Sequence, residues 1–193
     1  MSAREIEPGL WVRGFTPPLR LADFKLVAFD MDSTLINIEC IDEIAAAAGR
    51  RDQVAAITEA AMRGEITDYA DSLRLRLALL RGLPVAALEQ VYEERLRLNP
   101  GVEDFVQACQ AAGLKTLLVS GGFTYFSERV RQRLKLDFAR ANTLDVQDGR
   151  LSGLLVQRPW GTIVDGTEKR RVLLEVAELM GIAPAQAIAV GDG

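Results

Sequence analysis

The 193-residue sequence predicts an α/β fold: a parallel sheet interrupted by an all-helical block, with one β-hairpin. Three observations predict it. Three short apolar runs, at 25–30, 115–120 and 187–190, each end on a polar or glycine-rich stretch. Parallel strands do this at the carboxyl edge, where open α/β sheets bind ligands. Between the first two runs, residues 38–98 carry helical punctuation and spacing without a strand pattern. Leu144 and Val146 then alternate up to Asp148-Gly149, a strong hairpin signal, and Leu151 to Val156 supplies a returning strand.

Residues 1–24 contain Pro8-Gly9 and Pro17-Pro18 and show no sustained period, which predicts an irregular lead-in packing through Leu10, Trp11 and Phe15. Lys25 to Asp30 is short, β-branched and aromatic, as a buried strand is. Ile38, Ile41, Ile44, Ala45 and Ala48 form a helical stripe that stops at Gly49. Helices follow at about 52–63, 66–80 and 84–98, divided by Gly64 and by Gly82-Leu83-Pro84, where Pro84 suits a first helical position. Residues 39–98 therefore read as an insertion into a core formed by 25–38 and 99–193. After Asn99-Pro100-Gly101, strand–helix alternation resumes: a helix at 102–112, the 115–120 strand and a helix at 125–136. Past the hairpin come a helix at 168–180 and the strand 187–190, which runs into Gly191-Asp192-Gly193.

Composition narrows the chemistry. The net charge is −4 with no basic tract, so nothing draws the chain to nucleic acid or anionic lipid. No run approaches the roughly 18 apolar residues of a membrane span, and Met1-Ser2-Ala3-Arg4-Glu5 lacks a signal-peptide core. Cys40 and Cys109, far apart, suit a reducing cytoplasm and not a disulfide scaffold. The absence of His removes His-ligated zinc, Ser-His-Asp hydrolysis and His acid–base chemistry. Carboxylates, Lys, Arg, hydroxyls and a metal remain.

Asp30 and Asp32 stand where the first strand ends. Held close they repel unless a cation or a shared proton relieves them. Mg²⁺, which binds through one or two carboxylates plus phosphate, would do so. The pair fits equally well an acidic loop that caps a helix beginning near Leu35. Ser120-Gly121-Gly122 offers a hydroxyl and open N–H groups before a helix, which suits a phosphate, although such a turn alone is more often only a turn. Asp192 brings a third carboxylate to the same edge and favours the metal. Lys169 lies near the start of its helix, where a cation opposes the helix dipole unless an anion sits above it. Arg170 and Arg171 read as a solvated face. Arg76 lies on the apolar face of Leu73, Leu77 and Leu80 and needs an anionic partner; a bidentate carboxylate fits. Arg74 is nearly opposite and can pair with Asp71. Glu39, with Asp42 and Glu43, reads on its own as an acidic first helical turn.

Together these pieces resemble the haloacid dehalogenase superfamily of phosphotransferases over about residues 25–193. Asp30-x-Asp32-Ser33-Thr34 matches its first motif, Ser120-Gly121-Gly122 the second, Lys169 the third and Gly191-Asp192-Gly193 the start of the fourth. With Glu39-x-Ile41-Asp42-Glu43 and Phe123 added, the likeness is to members that hydrolyse O-phospho-L-serine, the last step of serine biosynthesis. The resemblance implies a Rossmann-like core with 39–98 as a cap hinged near 36–39 and 98–101. It implies Asp30 as nucleophile, and Asp32 as the acid that protonates the leaving oxygen and then activates water. It places Mg²⁺ on Asp30, the Asp32 carbonyl and Asp192, and the phosphoryl oxygens on Ser120, the Gly121 N–H and Lys169. The substrate ammonium would meet Glu39 and its carboxylate Arg76. Met62 and Tyr69 match positions that close over substrate, and equally suit plain packing. Two other readings stand beside this one. The first is a relative that acts on another phosphorylated amino acid or transfers the phosphoryl group to an alcohol. The second follows from the fourth motif, which in the family continues with an Asn, an Asp, a helix and further strands. That implies a carboxyl-terminal truncation, and hence a fragment that folds without turning over.

Overall fold

The structure, a computed structural model, describes residues 3–8, 10–13, 18, 20–158 and 163–192, without the side chain of Leu10. The lead-in differs from expectation. Strands β1 (Arg4–Glu7) and β2 (Leu10–Val12) pair antiparallel, because the Pro8 turn joins two short runs of strand-forming residues. Trp11 is 62% exposed, while Phe15 and the Leu10 side chain lie outside the described residues. Leu21 and Phe24 instead meet the core.

The chain continues with β3 (Leu26–Phe29) and then four helices: α1 (Cys40–Ala47), α2 (Arg51–Met62), α3 (Tyr69–Ala78) and α4 (Ala86–Glu94). Next come α5 (Val102–Ala111), β4 (Lys115–Phe123), α6 (Thr124–Leu134) and β5 (Phe138–Asn142). The hairpin β6 (Leu144–Gln147) and β7 (Arg150–Leu155) precedes α7 (Gly166–Leu179) and β8 (Ala187–Val190). The main sheet has the order β5-β4-β3-β8 with every pair parallel.

Alternation along the strands builds the layers. Val27, Phe29 and Leu118 pack with Val106 and Cys109 of α5 and with Phe126 and Val130 of α6. Leu26, Ala28, Leu117 and Val119 face the other way, onto Val172 and Ala177 of α7. Both faces being covered explains why β3 is wholly apolar. Strand β5 carries no such signal. It is an edge strand of sequence Phe-Ala-Arg-Ala-Asn, and its start is set by Asp137, which accepts from the Thr116 N–H at 2.8 Å and from the Lys115 ammonium at 2.6 Å.

The helical block is shorter at its ends than its sequence spacing suggests. Asp68 caps α3 by accepting from the Ala70 N–H at 2.8 Å. Residues 95–98 leave α4 to pair back on the chain entering the block: the Asn37 N–H donates to the Arg97 carbonyl, and Ile36 bridges Leu98. The hairpin turns at Asp148 and Gly149, both left-handed at φ 51° and 73°, as a two-residue loop of this hand requires. It leans on the block through Gly82 N–H to Leu151 O and Leu151 N–H to Leu83 O, both 2.8 Å. Gly153, at φ +82°, allows this approach, since a Cβ there would lie 3.0 Å from the Arg81 Cβ.

Candidate active site

No helix begins near Leu35. The chain leaving β3 instead makes a tight turn in which the Thr34, Leu35 and Ile36 N–H groups all donate to the Met31 carbonyl, and Ser33 takes φ 54°. The turn sends Asp30 and Asp32 into one cavity. Asp30 stays in register with β8, its N–H donating to the Val190 carbonyl at 2.9 Å. Its Oδ1 accepts from the Met31 N–H at 2.7 Å, and its Oδ2 forms an ion pair with the Lys169 ammonium. The anion expected above Lys169 is thus Asp30 itself.

Ser120-Gly121-Gly122 is a bulged strand end rather than a free turn. Between the pairs Val119–Arg140 and Phe123–Asn142, β4 advances four residues and β5 two. The Gly122 N–H donates to Ser120 Oγ at 2.9 Å, so the Ser120 hydroxyl proton is left to donate elsewhere. A side chain at Gly121 would collide with the Tyr69 hydroxyl, and one at Gly122 would lie 2.9 Å from the Met31 methyl. Both glycines exist for close approach.

One cavity of about 210 Å³ is lined by Asp30, Asp32, Ser120, Gly121, Lys169 and Asp192 from the sheet side, and by Glu39, Tyr69 and Arg76 from the helical side. Apolar lining comes from Ile41, Leu73 and Phe123. Leu73, Leu77 and Leu80 are buried, as the stripe around Arg76 requires. Arg76 makes one long bond, Nε to the Ser72 carbonyl at 3.4 Å, and senses the charge of Asp42. Glu39 Oε1 accepts from the Ser33 hydroxyl at 2.6 Å, and partial burial raises its carboxyl above the usual range against that bond. Met62 is 84% exposed and does not line the cavity. Arg74 pairs with Asp71 at 2.7 Å on the surface, while Arg171 pairs with Glu175 and reaches in to the buried Glu168.

Asp32 is electrostatically the most unusual group. Its Oδ1 is buried without a partner, and its Oδ2 accepts a 3.3 Å bond from the Cys40 N–H at the start of α1, with the Cys40 thiol also against the carboxyl. Burial raises its pKa to about 7, against the Cys40 contact and with help from the charges of Glu39 and Asp30. The sign follows from linkage. A carboxyl raised in the folded state contributes stability that is full below its unfolded pKa and lost as pH rises through the folded one. Asp32→Asn carries no such loss. Without divalent cations, the variant should gain roughly 2–4 kcal/mol over the parent between about pH 4 and pH 8. Denaturant titrations across that range check this, and a pH-independent difference would contradict it.

The donors at the sheet edge are all oxygens, which suits a hard divalent cation. Among the described residues no three His, Cys, Asp or Glu side chains gather as a metal-holding cluster, because Asp32 turns its carboxyl to Cys40 and Asp192 accepts from the Thr34 hydroxyl at 3.4 Å. What fits is two carboxylates, Asp30 and Asp192, with a main-chain carbonyl, leaving substrate and water to complete the shell. Such a small protein share is normal for Mg²⁺.

A carboxylate at the end of a parallel strand, beside a second carboxyl, a Ser-Gly-Gly bulge and a lysine, defines a phosphoryl-transfer class of site. The chain belongs to the haloacid dehalogenase-like hydrolase family, which residues 27–193 match. Enzymes of this kind generally use a divalent metal. The chain is 63% identical, over all of its length and 81% of the relative's, to a phosphoserine phosphatase of Albidiferax ferrireducens. A phosphoserine phosphatase solved as an analogue of its phospho-aspartyl intermediate superposes with a TM-score of 0.79 at 38% identity, covering 88% of this chain and 78% of that one. A substrate-bound phosphoserine phosphatase complex gives 0.79 at 37% identity with the same coverage.

Sequence reasoning missed four participants: Ser33, which holds Glu39; Cys40, which reaches Asp32; Gly122; and Asn142, whose amide bonds the Gly121 carbonyl. Ser33 and Gly122 lay within recognised motifs, but their bonding roles were not legible there. The others act through local bonds that leave no periodic signal.

Proposed function

We propose that this chain is a phosphoserine phosphatase, hydrolysing O-phospho-L-serine to L-serine and phosphate through a phosphorylated Asp30. The observation that carries the reading is the cavity's two-sided chemistry. Carboxylates, a hydroxyl, the Gly121 backbone and Lys169 line the sheet side, and a separate anion and cation, Glu39 and Arg76, line the helical side. A zwitterionic amino acid bearing a phosphate needs both sides at once.

Lys169 leaves its ion pair with Asp30 to meet the incoming phosphoryl oxygens, which frees Asp30 Oδ2 to attack. Ser120 donates its unused proton, and Gly121 its N–H, to the same oxygens. As the bond from phosphorus to the serine oxygen breaks and the Asp30–phosphorus bond forms, Asp32 gives its proton to the leaving oxygen. A carboxyl held near pH 7 is suited to that task. Asp32, now ionised, takes a proton from the water that attacks phosphorus, so phosphate leaves and both carboxyls return to their starting states. Asp30, the Asp32 carbonyl and Asp192 would hold Mg²⁺, which when bound supplies positive charge between two anions. Residues 39–98 act as a cap hinged at 36–39 and 98–101, a reading supported by the Ile36–Leu98 bridge that joins the two linkers, beside which Asn99 Nδ2 donates to the Thr34 and Ile36 carbonyls at 2.9 and 3.1 Å. A cytoplasmic setting is supported by the two free, buried cysteines, and no described helix is long and apolar enough to cross a membrane.

The test is phosphate release from O-phospho-L-serine with Mg²⁺ and after chelation. The expected result is turnover that chelation abolishes and Mg²⁺ restores. Turnover unaffected by chelation would remove the metal, and none under either condition would remove the activity from this chain.

A further inference from the structure

We infer that Asn142 is a positioning residue for phosphoryl transfer, its buried amide joining the oxyanion bulge to the segment that delivers Lys169. The inference rests on the reading of Ser120, Gly121 and Lys169 as the phosphoryl cradle. Asn142 is the last residue of β5, paired with Phe123 and only 6% exposed. Its Nδ2 donates to the Gly121 carbonyl at 2.8 Å, and its Oδ1 accepts from the Val164 N–H at 3.0 Å. One neighbour offers only lone pairs and the other only a proton, so the amide has a single usable orientation.

The Gly121–Gly122 peptide is thereby held at both ends, its oxygen by Asn142 and its N–H by Ser120 Oγ. A pair of glycines has little conformational preference of its own. Without the clamp this peptide is free to turn its carbonyl toward the cavity, where it would repel a phosphoryl oxygen, and Ser120 Oγ would lose the Gly122 N–H that orients it. The second bond reaches the lysine. Val164 precedes Asp165, which caps α7 by accepting from the Glu168 N–H at 2.7 Å, and the Lys169 N–H donates to the Asp165 carbonyl at 2.8 Å. Val164 also packs against the bulge, since a Cβ at Gly121 would lie 3.2 Å from the Val164 carbonyl oxygen. One side chain therefore sets the distance between the two halves of the cradle, yet faces neither substrate nor solvent.

Two variants of the full chain test this. Asn142→Asp keeps the shape and the bond from Val164 but replaces the donor to Gly121 with an acceptor. Asn142→Leu removes both bonds without adding charge. Calorimetric binding of orthovanadate reads the cradle, and binding of L-serine reads Glu39 and Arg76. Both variants should weaken orthovanadate about 10- to 100-fold and lower kcat similarly, while L-serine affinity stays within about twofold. Unchanged orthovanadate affinity, a parallel loss of both ligands, or a parent chain that does not bind orthovanadate would each overturn the inference. If Asn142→Leu fails to fold, Asn142→Asp decides. A parent that binds orthovanadate in this Asn142-dependent way but does not hydrolyse O-phospho-L-serine would sink the phosphatase reading and leave Asn142 in its role.

Discussion

Asp30→Asn should lower phosphate release from O-phospho-L-serine by at least about 10⁴-fold, because an amide oxygen cannot form the phosphorylated intermediate. The geometry predicts that the fold survives. The bond from its N–H to the Val190 carbonyl does not involve the side chain, and an Asn Oδ1 can still accept from the Met31 N–H. The variant does lose the charge partner of Lys169 in a pair only 30% and 20% exposed, but the amide oxygen can still accept from the ammonium, which limits the cost to about 1–2 kcal/mol. The expected pattern is therefore a melting temperature close to the parent's, with chemistry removed. Retained turnover would mean that water attacks phosphorus directly, and Asp32 would then be its base.

How much of this was readable from residues alone varies by element, and the reasons are physical. β3, β4 and β8 were readable because both faces of a parallel sheet are covered, which forces apolar runs with polar ends. The hairpin turn was readable because Asp148-Gly149 tolerates two successive left-handed residues. β5 was not, since an edge strand beginning at Asp137 needs no apolar run, and with it went Asn142. The β1–β2 hairpin was missed because four and three residues are too few to show alternation. At the site, the predicted residues Asp30, Asp32, Glu39, Arg76, Ser120, Gly121, Lys169 and Asp192 all line one cavity. Their states were not readable. That Asp32 is raised to about 7 depends on burial beneath α1, and that Asp30 is held by Lys169 depends on how α7 meets β3. Both are facts of tertiary packing.

Arg76 offers the sharpest division between binding and chemistry. Arg76→Leu should reduce kcat/KM for O-phospho-L-serine about 100-fold, the worth of a charge-assisted carboxylate pair in a partly dry cavity. O-Phosphoethanolamine, which has the phosphate and the ammonium but no carboxylate, should lose almost nothing. The substitution is also gentle on the fold. It extends the buried leucine face of α3 and gives up only a 3.4 Å bond to the Ser72 carbonyl. The opposing term is Asp42, whose Oδ1 is buried without a partner and whose carboxyl, raised mainly by burial, is held down by Arg76. Removing the arginine pushes Asp42 further up, and Arg51 remains to oppose that shift. An equal loss for both substrates would show that Arg76 supports the cap rather than the carboxylate. A loss confined to phosphoserine would place the recognition of the amino acid in the helical block and leave the sheet edge responsible for phosphorus alone.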